Sequence, residues 1–142
     1  MIRNITTLDI FQVEALEKKA FGQSLGVDFL YQEILYNPFA YYLVYELNRE
    51  VVGYIGYRLH ETQAEMMNFV VKADYQTKGI GTQLFSHSMC YFKENNIKKV
   101  TLEVRKNNEK ARAFYEKLGF IQSHQIKNYY ETEDAIIYVK EV

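Results

Sequence analysis

Residues 65–105 read EMMNFVVKADYQTKGIGTQLFSHSMCYFKENNIKKVTLEVR, and the order of patterns inside this stretch decides the fold. Residues 65–71 and 99–104 are short, largely apolar runs with the length and valine content of strands. Between them the polar loop 72–78 leads into Ile80, Leu84, Phe85, Ser88, Met89 and Phe92, which recur at helical spacing until Asn95-Asn96. Two strands separated by a whole helix cannot form a tight hairpin, so they are expected to lie parallel, joined by a right-handed crossover.

Outward from this unit, the N-terminal side begins with a short edge strand at residues 2–5. Leu8, Phe11, Ala15, Leu16 and Ala20 then mark the apolar stripe of a first helix that ends before Gly22. Residues 28–35 read as a second short helix closed by Asn37-Pro38, and residues 41–47 and 51–59 as an antiparallel hairpin around Asn48-Arg49. On the C-terminal side, residues 109–118 form a helix with Ala111, Phe114, Tyr115 and Leu118 on one stripe and Gly119 just past its end. Strands near residues 120–130 and 135–140 close the chain, giving an α/β class with a mixed sheet.

A chain of 142 residues, 48% hydrophobic and 25% charged, is expected to form a single domain spanning residues 1–142. The net charge of -1 and the lack of a basic run remove the electrostatic footprint that carries nucleic-acid or anionic-membrane binding. No stretch approaches the roughly 18 apolar residues of a membrane span, and the first residues lead into polar sequence, so a cytoplasmic protein is expected. Cys90, the single cysteine, falls among apolar residues of a helix and reads as a buried packing residue. His60, His87 and His124 are scattered, so no metal is expected.

The loop Gln76-Thr77-Lys78-Gly79-Ile80-Gly81-Thr82 sits where a strand hands over to a helix. A helix start offers unbonded N–H groups and about half a positive charge, which suits a diphosphate. Gly79 and Gly81 let the backbone approach phosphate oxygens, while Lys78 and Thr82 can add a charge and a hydroxyl. The P-loop pattern is absent, and Leu84 stands where a dinucleotide fingerprint needs its third glycine. On spacing alone, a simple turn explains both glycines equally well.

Three motifs in fixed order change that balance: Gln76-x-x-Gly79-x-Gly81, then Leu102-Glu103-Val104-Arg105, then Asn108-x-x-Ala111-x-x-x-Tyr115-x-x-x-Gly119-Phe120. Together they resemble the GNAT acetyltransferase superfamily, from about residue 67 to residue 139. The resemblance implies a mixed, mostly antiparallel sheet with a central parallel strand pair and about four flanking helices, with acetyl-CoA as co-substrate. Leu102-Glu103-Val104-Arg105, Asn128-Tyr129-Tyr130 and Glu133-Asp134-Ala135 further resemble the RimI-type N-terminal alanine acetyltransferases. On that resemblance, Phe69, Val70 and Val71 lend backbone groups to the pantetheine arm and acetyl carbonyl. Thr77, Lys78, Gly79, Ile80, Gly81 and Thr82 hold the pyrophosphate, and Asn108 binds the cofactor beside the second helix. Glu103 matches the proton acceptor, Tyr115 the proton donor, and Asn128, Tyr129 and Tyr130 the acceptor site. The implied acceptor is the α-amine of a peptide or protein N-terminus, and the implied assembly a monomer or weak homodimer.

The chemistry asks for such residues. A peptide α-amine, with a pKa of about 7.7 to 8.0, must lose a proton before it attacks a thioester. A carboxylate such as Glu103 can drain it, directly or through water, if burial brings its own affinity nearer to neutral pH. Proton transfer from an ordinary tyrosine to a thiolate is uphill by about 2 kcal/mol, which favours Tyr115 as a hydrogen-bond donor to sulfur. Alternation alone makes Glu103 an ordinary exposed charge and Tyr115 an ordinary core residue; only the joint match with the glycine loop reverses that.

Glu131, Glu133 and Asp134 would suit a basic peptide, and Lys106, Lys110, Arg112 and Lys117 would suit the 3′-phosphate of coenzyme A or form a solvated helix face. One departure stands out: RimI-type chains carry Pro-Trp between the first two helices, where this chain has Phe21-Gly22-Gln23-Ser24. A small-amine or lysine acetyltransferase and a non-catalytic coenzyme A-binding module are the alternatives.

Overall fold

The computed structural model describes residues 1–130 and 133–142. In chain order it contains β1 (Ile2–Asn4), α1 (Ile10–Phe21), α2 (Val27–Tyr36), β2 (Ala40–Leu47), β3 (Glu50–His60) and β4 (Gln63–Val71). Then follow α3 (Ile80–Glu94), β5 (Lys99–Arg105), α4 (Glu109–Lys117), β6 (Ile121–Tyr130) and β7 (Glu133–Glu141). The strands form one sheet in the order β1-β2-β3-β4-β5-β7-β6, in which β4 and β5 are parallel and the other neighbours antiparallel. This is the expected mixed, mostly antiparallel sheet with a central parallel pair and four helices.

Local chemistry fixes the joints. The β2–β3 hairpin turns on Asn48 (φ 50°) and Arg49 (φ 66°), two consecutive left-handed residues whose twist matches the flanking strands. Gly119 (φ 100°) follows the last turn of α4 in the left-handed position that ends helices without a Cβ penalty.

Each face of the sheet has its own core. Leu84, Phe85 and Phe92 of α3 pack with Ile55, Tyr57, Val100, Leu102 and Phe120 on one face, with Ala111 and Tyr115 of α4 at its margin. Ile10, Val13 and Leu16 of α1 and Leu30 of α2 pack with Tyr42, Val44, Tyr54 and Val70 on the other. A fully buried side chain of this size contributes about 1.5–3 kcal/mol, so both layers are held firmly against the sheet.

Two expectations are overturned. The buried face of α1 is Ile10, Val13, Leu16 and Glu17, whereas Leu8 is 88% and Phe11 67% exposed. Leu8 lies in a preceding 3-10 turn, Thr7–Asp9, so the helix starts later than the periodicity suggested, and its core face includes a carboxylate that no apolar stripe reveals. Cys90 is exposed on α3 rather than packed, because Phe85, Ser88 and Phe92 take the inward positions of that helix.

Candidate active site at the parted strands

The parallel ladder is short: β4 and β5 pair only at Gln63–Lys99, Ala64–Val100 and Glu65–Thr101. Beyond that rung β4 stays with β3 while β5 stays with β7, so the two strands diverge toward Phe69 and Glu103. The Lys72 amide donates to the Val52 carbonyl. Alternation along an antiparallel ladder then turns the backbone of Val70 toward β3, and the amides of Phe69 and Val71 toward the opening. Phe69 and Val71 thus present the donors that sequence assigned to the acyl end, while Val70 contributes a buried side chain to the core.

The glycine loop closes the mouth of this opening. Gly79 (φ 83°) is the N-cap of α3, and the first intrahelical bond runs from Gln83 to the Gly79 carbonyl, so the first-turn amides of Ile80, Gly81 and Thr82 stand at the helix start. Gly81 lies against Phe69 and Phe114, where an added Cβ would meet both rings at 3.4 Å. Thr77 is left-handed too (φ 66°), a strained state for a β-branched residue and a mark of functional loops. Gln76 explains how the loop is held: its amide donates to the Val71 carbonyl at 2.9 Å, and its carbonyl accepts from Lys110 at 3.3 Å. Lys78 rests over the Tyr75 ring at 5.4 Å, at the edge of the same loop. Glycine backbone, helix-start amides and a nearby lysine together make a setting suited to a diphosphate.

Glu103 lies on the opposite face of β5 from Leu102 and Val104 and is exposed, as the alternation of the strand predicts. A break in β6–β7 register between Ile126 and Tyr130 brings Tyr129 beside Glu103. The charges of Glu103 and Glu65 raise the affinity of the Tyr129 phenol for its proton. Tyr130 packs against Tyr129 and under the Arg105 guanidinium, 4.0 Å from its ring centre. Glu65 is a residue that sequence reasoning missed. Its signal was available: Ala64 and Met66 point into the core, so Glu65 shares the face of Glu103 one rung away.

Tyr115 occupies the other face, against Phe114 and Phe120, and burial pushes its phenol up to about 12. Glu103 and Tyr115 therefore lie on opposite faces of the sheet. The Asn108 carbonyl oxygen caps α4 by accepting from the Ala111 amide at 3.2 Å, which leaves its NH₂ group as the atom available to a cofactor.

Other charges are engaged elsewhere. Glu133 accepts from the Asn107 amide at 2.6 Å, which ties β7 to the loop before α4, and Asp134 accepts from the Asn128 amide at 2.8 Å and from Gln125, which braces β7 against β6. Glu131, the third acid of that expectation, lies outside the described residues. Arg112 donates to Tyr138 at 3.1 Å and to the Lys106 carbonyl at 2.8 Å, which ties α4 to the sheet, whereas Lys106 and Lys117 are exposed. No helix among the described residues is long and apolar enough to cross a membrane.

Residues 8–120 match the model of the acetyltransferase (GNAT) family. The chain belongs to the GNAT family. This acetyltransferase is 34% identical over 138 residues to a Bacillus subtilis protein provisionally named a ribosomal protein bS18-alanine N-acetyltransferase, covering 96% of this chain and 91% of that one. It is 31% identical, over 96% of its length and 89% of the relative's, to an N-alpha-acetyltransferase of Sulfurisphaera tokodaii. Its fold superposes on the ribosomal-protein-S18-alanine N-acetyltransferase of Escherichia coli with a TM-score of 0.87 at 26% identity, covering 100% of this chain and 93% of the other. This GNAT protein is an acetyl-CoA-dependent N-acetyltransferase of RimI-like type.

Proposed function

We propose that this enzyme, a single catalytic domain acting in the cytoplasm, acetylates the α-amine of a peptide or protein N-terminus, with a ribosomal protein among its acceptors. The observation that carries the reading is the face on which Glu103, Glu65 and Tyr129 meet beside the parted strands, an anionic and aromatic setting for an N-terminal ammonium. The activities printed in the names of the Bacillus and Sulfurisphaera relatives support the same class of acceptor.

Acetyl-CoA lies along the α3–α4 face with its diphosphate on residues 77–82 and the NH₂ group of Asn108 toward its pantetheine. The acetyl carbonyl points at the amides of Phe69 and Val71, which stabilise the oxyanion as it forms. Glu103 takes the ammonium proton, directly or through a water, in a pre-equilibrium before attack. Tyr115 keeps its proton, since burial holds its phenol at about 12, and steadies the departing thiolate by a hydrogen bond. The second proton of the attacking nitrogen passes to that sulfur, directly or through a water, so that coenzyme A leaves as the free thiol. Asn128, Tyr129 and Tyr130 line the acceptor side.

A thiol-release assay with acetyl-CoA tests this. Peptides with free Ala or Ser termini should be turned over and their N-blocked, lysine-containing versions should not. Turnover confined to blocked peptides or small amines overturns the N-terminal reading in favour of a lysine or small-amine enzyme. No thiol release with any acceptor, while calorimetry still detects coenzyme A binding, would leave only a coenzyme A-binding module.

A further inference from the structure

Glu17 is 1% exposed, and among the described residues no lysine or arginine bonds to it. The other buried acids differ: Asp9 bonds Arg3 and Glu33 bonds Arg58. A carboxyl group taken out of water is costly to bury unless its polar atoms find hydrogen-bond partners. Here the partners are two neutral donors. The Leu25 amide donates to Oε2 at 2.8 Å, and the Tyr54 hydroxyl donates to Oε1 at 2.5 Å.

These donors belong to different parts of the site. Leu25 lies in the loop between α1 and α2, bounded by Gly22 (φ 76°) and Gly26 (φ 97°), whose absent Cβ atoms would touch nothing within 4 Å. Those glycines leave the loop with little steric constraint of its own, so its position depends on what grips it. Tyr54, fully buried, pairs across the ladder with Val70, between the two residues whose amides face the opening. Beside the grip, Phe21 is 56% and Leu25 42% exposed.

We propose that Glu17 is a positioning residue: its carboxylate fastens the α1–α2 loop to the strand layer beneath the acetyl seat, so that Phe21 and Leu25 form an apolar lip for the acceptor. The proposal rests on the acyl-transfer reading above, and it gives this chain its own means of placing a loop that lacks the Pro-Trp pair.

The test compares the whole enzyme with Glu17→Ala, Glu17→Gln and Tyr54→Phe, measuring acceptor KM, kcat, coenzyme A affinity by calorimetry and exchange of the Leu25 amide. Glu17→Ala should raise acceptor KM about tenfold, the worth of a lost hydrogen bond to the loop, with coenzyme A affinity unchanged. Glu17→Gln, whose carbonyl still accepts from Leu25, should restore most of that loss. Should Glu17→Ala not fold, Tyr54→Phe keeps the shape and should still raise acceptor KM several-fold and speed exchange at Leu25. A purely structural role would instead lower Tm and active fraction while leaving acceptor KM in place, and that result for Tyr54→Phe overturns the proposal. If the wild type turns over only small amines, the N-terminal reading fails while the anchor is judged by the same KM comparison on that amine.

Discussion

In the proposed reaction Glu103 accepts a proton on one face of the sheet and Tyr115 donates a hydrogen bond on the other, and their settings predict different phenotypes. Glu103→Gln should lower kcat by about 10² or more, the usual contribution of a positioned base, with coenzyme A affinity intact by calorimetry. Tyr115→Phe should cost only about tenfold, as expected for one lost hydrogen bond to a charged thiolate. Because burial holds Tyr115 at about 12, its proton stays bound throughout the working range, and the alkaline side of the rate profile should not move in Tyr115→Phe. A shift of that limb on substitution would make Tyr115 a titrating acid and refute the hydrogen-bond role.

At the scale of the elements, the junction of β4 with α3 depends on Gly79 more than on any other residue of its loop. There is space for a methyl group, since an added Cβ would find only the Gln83 amide at 3.8 Å, so the cost of Gly79→Ala is the left-handed backbone itself. That penalty is about 1–2 kcal/mol, a Tm drop of roughly 3–10 °C for a domain of this size, accompanied by weaker coenzyme A binding. Unchanged affinity would show that the loop does not seat the diphosphate. The strands, the crossover and this junction were legible in sequence because apolar spacing and glycine placement are local signals, as Ile80, Leu84 and Phe85 demonstrate. The inward face of α1 was not, because Glu17 reaches the core only through bonds to Leu25 and Tyr54, which are distant partners. Likewise the motif Asn128-Tyr129-Tyr130 was visible, but its placement over Glu103 arises from a register break between two strands that no single segment encodes.

Across the whole molecule, two buried ion pairs set the response to acid. Burial opposes ionisation of Asp9 and Glu33, but hydrogen bonds from Arg3 and Arg58 more than offset it and hold both below their ordinary values of 3.8 and 4.5. A depressed carboxyl adds stability that is complete above its ordinary value and is lost as pH falls through its folded value. Denaturation midpoints should therefore stay flat above about pH 5 and fall steadily below about pH 4. A midpoint equal at both ends of that window would remove these pairs from the acid response. The gap between β4 and β5 has a further kinetic meaning. In the proposed reaction the nucleotide-bearing partner docks from the helical layer of α3 and α4 and the amine from the reverse side, which would give each its own doorway. Initial rates should then show a ternary complex, with intersecting double-reciprocal lines rather than those of a ping-pong cycle, and spent coenzyme A should depart without waiting for the acylated chain to clear.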